Sequence, residues 1–324
     1  MDLYKIMEEK LGSKIGEYRK KWEAAGKDGI VLDYPLHLNF ELNFGCNLKC
    51  DFCLYSIPPE EWNYEVDISK KISLNKYSEI IDNSFDNNLY SVEFNGINEP
   101  LLKKDIVKYI KYACEKDIPV TSLHTNSIAL DSKKAEDLIS SGLKIIIFSV
   151  DAINKGVYKD IRSAEVYDLI FNNINNFLKI KKDMNSIFPL VQMSFNKNKC
   201  NYKEVDDYTK YWESRVDCVS VSHFCNPFIG GKKYKEIENK FRLDSNVLYE
   251  CYEPYQRLFI RNNGKVSPCC SFFGGEFIVG DIYNQSIYDI WHGEKMKEIR
   301  LKVNCKNGFN LCDKCRESMV RDGI

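Results

Sequence analysis

The chain has 324 residues, 44% of them hydrophobic and 13% aromatic, which suits one large α/β domain with a small appended unit and excludes a disordered chain. Lys and Arg number 46 against 47 Asp and Glu, and a formal net charge of -1 argues against a general nucleic-acid binder. No run approaches the ~18 apolar residues that span a bilayer, and the opening residues lack the apolar centre of a signal peptide. A cytoplasmic protein with no membrane contact is expected. A reducing compartment disfavours disulfides, which turns the 13 cysteines toward metal or redox chemistry.

Residues 1–34 read as one or two amphipathic helices broken near Gly26 and Gly29. Strand-like runs follow at Leu36–Phe44, Tyr90–Phe94, Val120–Leu123, Ile145–Val150, Leu190–Phe195 and Cys218–His223. Helical patterns lie between them, and one places Val166, Leu169, Ile170, Ile174 and Phe177 on a single face. Strands alternating with helices predict a parallel sheet whose C-terminal strand ends build the site. From residue 236 the rhythm changes to a helix-like segment and then a short hairpin turning at Asn262-Asn263-Gly264. The expected organisation is an N-terminal helical extension at 1–34, a core at 35–235 and an appended unit at 236–324.

Directly after the first strand, Cys46, Cys50 and Cys53 supply three thiolates in one loop. Three ligands on a cubane iron–sulfur cluster leave one iron open to a small molecule, whereas zinc needs a fourth donor that this loop lacks. A second set stands at Cys251, Cys269, Cys312 and Cys315, enough for one fully ligated cubane or a structural zinc. Spacing alone leaves iron and zinc both open.

The first loop, with Phe52 just before its last cysteine, resembles the CxxxCxxC signature of the radical SAM superfamily. The resemblance implies a partial (β/α)6, TIM-like barrel and a [4Fe-4S] cluster on Cys46, Cys50 and Cys53 whose open iron binds S-adenosylmethionine. In that family, reductive cleavage gives a 5′-deoxyadenosyl radical that abstracts a substrate hydrogen, with electrons from a flavodoxin- or ferredoxin-type donor. Gly96-Ile97-Asn98-Glu99 is similar to the family's GGE motif, with Asn98 standing in place of its second glycine. Gly96 would let backbone approach the methionyl amino group, and Glu99 would accept a hydrogen bond from it. His124-Thr125-Asn126-Ser127 resembles the TNG turn, and Ser149-Val150-Asp151 the SxDG segment. Arg162 is like the arginine that holds the SAM carboxylate, and Gln192 would face the ribose.

The stretch from Cys251 through Gly264 to Cys269 resembles the opening of the SPASM motif. Lacking the middle cysteines, the tail is similar to the shortened twitch type, which implies one auxiliary [4Fe-4S] cluster on Cys251, Cys269, Cys312 and Cys315. Cys270 and Cys305 remain as substitutes or ordinary thiols.

The twitch-type resemblance favours an oxidoreductase that converts an alcohol carbon of a carbohydrate- or cyclitol-like molecule to a ketone, the auxiliary cluster accepting the electron. The alternatives are a radical epimerase or a maturase acting on a short peptide, with Cys225, just beyond the sixth strand, as hydrogen-atom donor. A zinc-stabilised binding module is a further alternative, from another class. His223 and His124, at strand ends, are candidate bases. Only the residues before Leu36 precede the first strand, short of the ~80-residue peptide-binding domain of many peptide-modifying relatives. A small-molecule substrate is therefore expected over a peptide.

Overall fold

A computed structural model describes residues 3–58, 71–226, 231–242, 250–270 and 277–318. Two helices come first, α1 (Leu3–Leu11) and α2 (Ser13–Lys27). Then β1 (His37–Phe40), β2 (Ser91–Phe94), β3 (Val120–Thr125), β4 (Ile145–Ser149), β5 (Leu190–Lys197) and β6 (Cys218–His223) lie side by side in sequence order. Every neighbouring pair among them is parallel. Between them run α3 (Leu74–Asp86), α4 (Ile106–Glu115), α5 (Ser132–Ser140), α6 (Lys155–Arg162), α7 (Tyr167–Asp183) and α8 (Val205–Trp212). This is the α/β class the alternation predicts.

Side chains alternate across a strand with period two, so each strand offers one face to each side. Leu38, Phe40, Val92, Phe94, Ile146 and Phe148 enter the main core together with Tyr77, Ile110, Leu138 and Phe177 of the crossover helices. The intervening His37, Asn39, Glu93 and His124 share the opposite face. Near the strand starts that second face is apolar, and Tyr90, Val120, Ile145 and Leu190 pack against Leu3, Met7, Ile15 and Tyr18. The first two helices thus plug one end while the polar end opens at the C-terminal strand ends, as in a partial barrel.

Several local expectations change. The N-terminal helices break at Gly12 (φ 86°), not at Gly26, which lies inside α2. A Cβ on Gly26 would meet Gln256 Nε2 at 2.8 Å and Tyr252 Cβ at 3.1 Å, so close packing explains that glycine. On α7, Ile170, Ile174 and Phe177 are buried, but Leu169 is exposed because its neighbour Ile170 already holds the inward position.

Beyond the core come α9 (Gly231–Phe241), α10 (Glu253–Gln256), β7 (Arg257–Ile260) and β8 (Lys265–Ser267). The hairpin turns at Asn262–Gly264 as expected, with Ile260 opposite Val266 and Gly264 at φ 85°. It is not a separate sheet: β7 pairs in parallel with β1, and β9 (Gly280–Asp281) completes a nine-stranded sheet. Helix α9 runs unbroken through residues 235 and 236, across the expected boundary, and its Phe241 packs on Phe52 and Phe224. Helices α11 (Ile287–His292), α12 (Glu294–Lys302) and α13 (Asn310–Ser318) follow. Trp291 of α11 is fully buried, its indole N–H donating to the Leu32 carbonyl at 2.8 Å and its ring lying 4.1 Å from the Arg300 guanidinium. Among the described residues no helix is long and apolar enough to cross a membrane.

Phe148 sits edge-on to Phe177 with no exposed surface. Phe148→Ala should lower the unfolding free energy by about 3–5 kcal/mol, read from urea denaturation of the metal-free protein.

Candidate functional site

The open end of the sheet is built from loops that hydrogen-bond to one another. After β1 the chain bends through Gly45 (φ 118°), whose carbonyl accepts from Glu99 N–H at 2.9 Å. Asn43 Nδ2 donates to the Glu99 carbonyl at 3.2 Å, and Asp51 N–H donates to the Ile161 carbonyl at 3.2 Å. The cysteine loop is thus stitched to the turn after β2 and to the end of α6. A cavity of about 170 Å³ lies between them, lined by Cys46, Cys50, Cys53, Phe52, His124 and Arg162 among others. Gly96, Asn98, Glu99 and Ser149 line it too.

The sulfurs receive donors. Leu48 N–H donates to Cys46 Sγ at 3.4 Å, Asn126 Nδ2 donates to the same sulfur at 3.7 Å, and Arg162 Nη1 donates to Cys50 Sγ at 3.6 Å. Such donors stabilise the negative charge of cluster sulfurs and tune a cluster's potential. Burial pushes the Cys46 thiol up to about 11 and Cys53 to about 12, so iron must displace protons to bind.

Glu99 is buried, and its carboxylate accepts from the Thr125 hydroxyl at 2.7 Å, Asn126 N–H at 2.8 Å and Leu101 N–H at 3.0 Å. Burial raises its carboxyl despite those donors. It joins the ends of β2 and β3, a clamping role the sequence motif does not reveal. Gly96 is explained by a side chain the sequence reading passed over: a Cβ there would meet Glu41 Oε2 at 2.5 Å. That same oxygen accepts from Ile97 N–H at 2.9 Å. Asn98, in place of a glycine, donates to Asn43 Oδ1 at 2.8 Å, and its own Oδ1 is buried without a partner.

Arg162 is buried, paired with Asp151, and stacked 5.5 Å from the Phe52 ring centroid. Its Nε is buried with no partner. His124 is bonded to Glu93, which also meets His37 Nε2 at 3.1 Å. Burial would raise Glu93, but His124 and His37 hold its carboxyl well below the usual range. Glu93 was invisible in the sequence because a single acid in an apolar strand carries no motif.

Three expected residues lie elsewhere. Gln192 pairs with Ile147, two residues below Ser149, and does not line the cavity; Ser194 is the β5 residue level with Ser149. His223 and Cys225 also lie outside its lining. Cys225 Sγ instead stands 3.7 Å from Cys315 Sγ.

The tail cysteines are gathered by polar side chains. Cys251 N–H donates to Asn304 Oδ1 at 2.9 Å, and Asn304 Nδ2 returns a bond to the Cys251 carbonyl at 3.0 Å. Arg316, on α13, donates to the Asn304 carbonyl at 3.0 Å. Cys315 is raised by its bond to Cys225, by burial, and by Cys269 and Cys251 nearby. Cys305 is exposed, its thiol bonded to the Leu301 carbonyl. Among the described residues no three His, Cys, Asp or Glu side chains converge on one point.

The radical SAM superfamily model matches residues 40–193, and the model for SPASM, an iron-sulfur cluster-binding domain, matches residues 251–316. The chain therefore belongs to the radical SAM superfamily and carries a SPASM domain. S-adenosylmethionine, a [4Fe-4S] cluster and auxiliary iron–sulfur chemistry are the cofactors this class uses. The donors around the cysteine loop fit such a cluster, and the unpartnered Arg162 Nε and Asn98 Oδ1 fit a polar ligand beside it.

Among relatives, the antilisterial bacteriocin subtilosin biosynthesis protein AlbA of Bacillus subtilis is 24% identical over 321 residues, spanning 90% of this chain and 67% of that protein. A GTP 3′,8-cyclase of Desulforamulus reducens is 27% identical over 146 residues, and the chain spans 43% of its length. Streptococcus suis SuiB bound to S-adenosylmethionine superposes with a TM-score of 0.66 at 18% identity, over 89% of this chain and 73% of that one. BtrN in complex with AdoMet and 2-DOIA gives 0.56 at 19% identity, over 89% and 95%. These likenesses establish the fold.

Arg162→Ala would leave Asp151 buried without its counter-charge. It should cost about 3–5 kcal/mol of stability, measured by denaturant unfolding of the metal-free chain.

Proposed function

We propose that this chain is a radical SAM oxidase acting on a peptide, in which the tail cysteines hold an auxiliary cluster that accepts an electron. The observation that carries the oxidative reading is the thiol contact between Cys225 and Cys315, which brings the tail to the C-terminal end of β6 and so to the mouth of the barrel. A thiol returning hydrogen to a substrate radical must face the cavity, and Cys225 faces the tail instead. That speaks for oxidation over epimerisation.

When bound, the first cluster and S-adenosylmethionine supply the radical that removes a substrate hydrogen atom, and the auxiliary cluster supplies an acceptor for the electron left behind. Cys46, Cys50 and Cys53 would hold the first cluster. The Arg162 guanidinium would orient the SAM carboxylate, with Asn98 and Ser149 beside it. Substrate loses one further proton, and His124, on the cavity wall and aligned by Glu93, is placed to receive it. Phe52, backed by Phe241, helps to exclude water.

The peptide assignment follows the similarity to AlbA across 90% of the chain. It is preferred here to the carbohydrate- or cyclitol-like substrate that the sequence favours. The test is anaerobic incubation of reconstituted protein with S-adenosylmethionine and short peptides encoded beside its gene. Formation of 5′-deoxyadenosine with a peptide lighter by two hydrogens supports the reading. A peptide of unchanged mass that has taken up solvent deuterium would refute oxidation, and turnover of a small alcohol alone would refute the peptide.

The wild-type chain should bind about eight irons, and the Cys46→Ala/Cys50→Ala/Cys53→Ala variant about half of that with no 5′-deoxyadenosine, by iron and product analysis. His124→Gln should slow product formation by about 10²–10⁴-fold while 5′-deoxyadenosine formation continues uncoupled.

A further inference from the structure

We propose that Glu41 is a positioning residue for S-adenosylmethionine, its buried carboxyl fixing the turn at Gly96–Asn98 against which the cofactor's amino group lies. This rests on S-adenosylmethionine being the ligand of the cavity beside Cys46, Cys50 and Cys53.

Glu41 stands one residue beyond β1 with no exposed surface, and its backbone N–H donates to the Ile260 carbonyl at 2.9 Å. The strand ladder thereby fixes where its side chain starts. Its Oε2 accepts from Ile97 N–H at 2.9 Å and is the first atom that a Cβ on Gly96 would strike. Glycine at 96 is what lets the turn lie against the carboxyl. Burial raises that carboxyl, and the Arg261 cation, one residue past β7, opposes the rise. Burying an acid is costly, and here it satisfies a main-chain N–H of the turn.

The two ends of the turn are held by other groups. Asn95 N–H donates to the Phe40 carbonyl at 3.3 Å and Asn39 Nδ2 donates to the Asn95 carbonyl at 3.2 Å, while Glu99 N–H is bonded to Gly45. Between those ends Glu41 supplies the bond to the main chain from outside the turn. The next residue is Asn98, and its amide has one orientation. Asn43 Nδ2 is committed to the Glu99 carbonyl, so Asn43 Oδ1 faces Asn98 and takes its Nδ2. Asn98 Oδ1 is therefore the end left over, a buried acceptor without a partner on a residue that lines the cavity. A ligand amino group is the donor such an acceptor suits, and a small displacement of the turn would move it out of reach.

The test is anaerobic titration calorimetry of the reconstituted full-length chain with S-adenosylmethionine and with the analogue that lacks its α-amino group. Glu41→Gln keeps an oxygen within reach of Ile97 N–H, whereas Glu41→Asp keeps the acid but draws it back by one methylene. Glu41→Gln should bind S-adenosylmethionine within about threefold of wild type and Glu41→Asp about 10–100-fold more weakly, with the analogue bound equally by all three. Iron is counted in each sample. If Glu41→Asp takes up less iron, amide exchange of the full-length chain without added cofactor decides instead. The Ile97 N–H should then exchange faster in Glu41→Asp than in wild type or Glu41→Gln, with β1 and β2 protected alike in all three. Wild-type affinity or wild-type exchange in Glu41→Asp would overturn the assignment. So would equal weakening of both ligands, or equal weakening in both variants. Failure of the wild-type chain to bind S-adenosylmethionine would instead remove the cofactor from this cavity, and the role of Glu41 with it.

Discussion

Arg162 lies buried where α6 ends, and three groups from different parts of the chain meet its guanidinium: the Asp151 carboxylate, the Cys50 sulfur and the Phe52 ring. A desolvated cation of this kind is tolerable only when its partners are fixed, because an unpaired buried charge costs far more than the pair returns. The partners are fixed. Asp151 accepts from Asn196 N–H at 2.8 Å, which ties it to β5, and Asp51 beside the cysteines is bonded to Ser163 and Lys240. The loop that follows β1, the turn after β4 and helix α9 thereby become one electrostatic unit, and the cavity is the space this unit leaves open.

Glu99 does for the other wall what Arg162 does for this one. Its three accepted hydrogen bonds hold the ends of β2 and β3 in a single arrangement. Both residues serve as frame first and as ligand-facing groups second. A preorganised polar frame costs nothing to rearrange when a charged cofactor arrives.

How much of this was legible depends on range along the chain. Cys46, Cys50 and Cys53 share one short loop, so sequence spacing nearly equals spatial proximity, and the same holds for the hairpin around Gly264. The parallel sheet followed from the alternation of strands and helices. Register did not: nothing in a strand's own sequence says that Ser194, and not Gln192, is level with Ser149 on the next strand. Glu93, Glu41 and Asn304 went unnoticed for a related reason, each being a lone polar residue whose importance comes from partners far away in sequence. Cys225 is the clearest case. It reads as a thiol at a strand end, and only the folded chain brings it to a residue 90 positions later.

The parallel pairing of β7 with β1 has a mechanical consequence. His37 through Phe40 match Arg257 through Ile260 residue for residue, so the first cysteine loop and the tail hairpin grow from adjacent rungs of one ladder. Stretching one strand away from the other would break several backbone hydrogen bonds at once, which makes the joint stiff in shear and in opening. Two redox centres held on either side of such a joint would keep their separation through turnover. Electron tunnelling falls off steeply with distance, so peptide geometry would then set its rate.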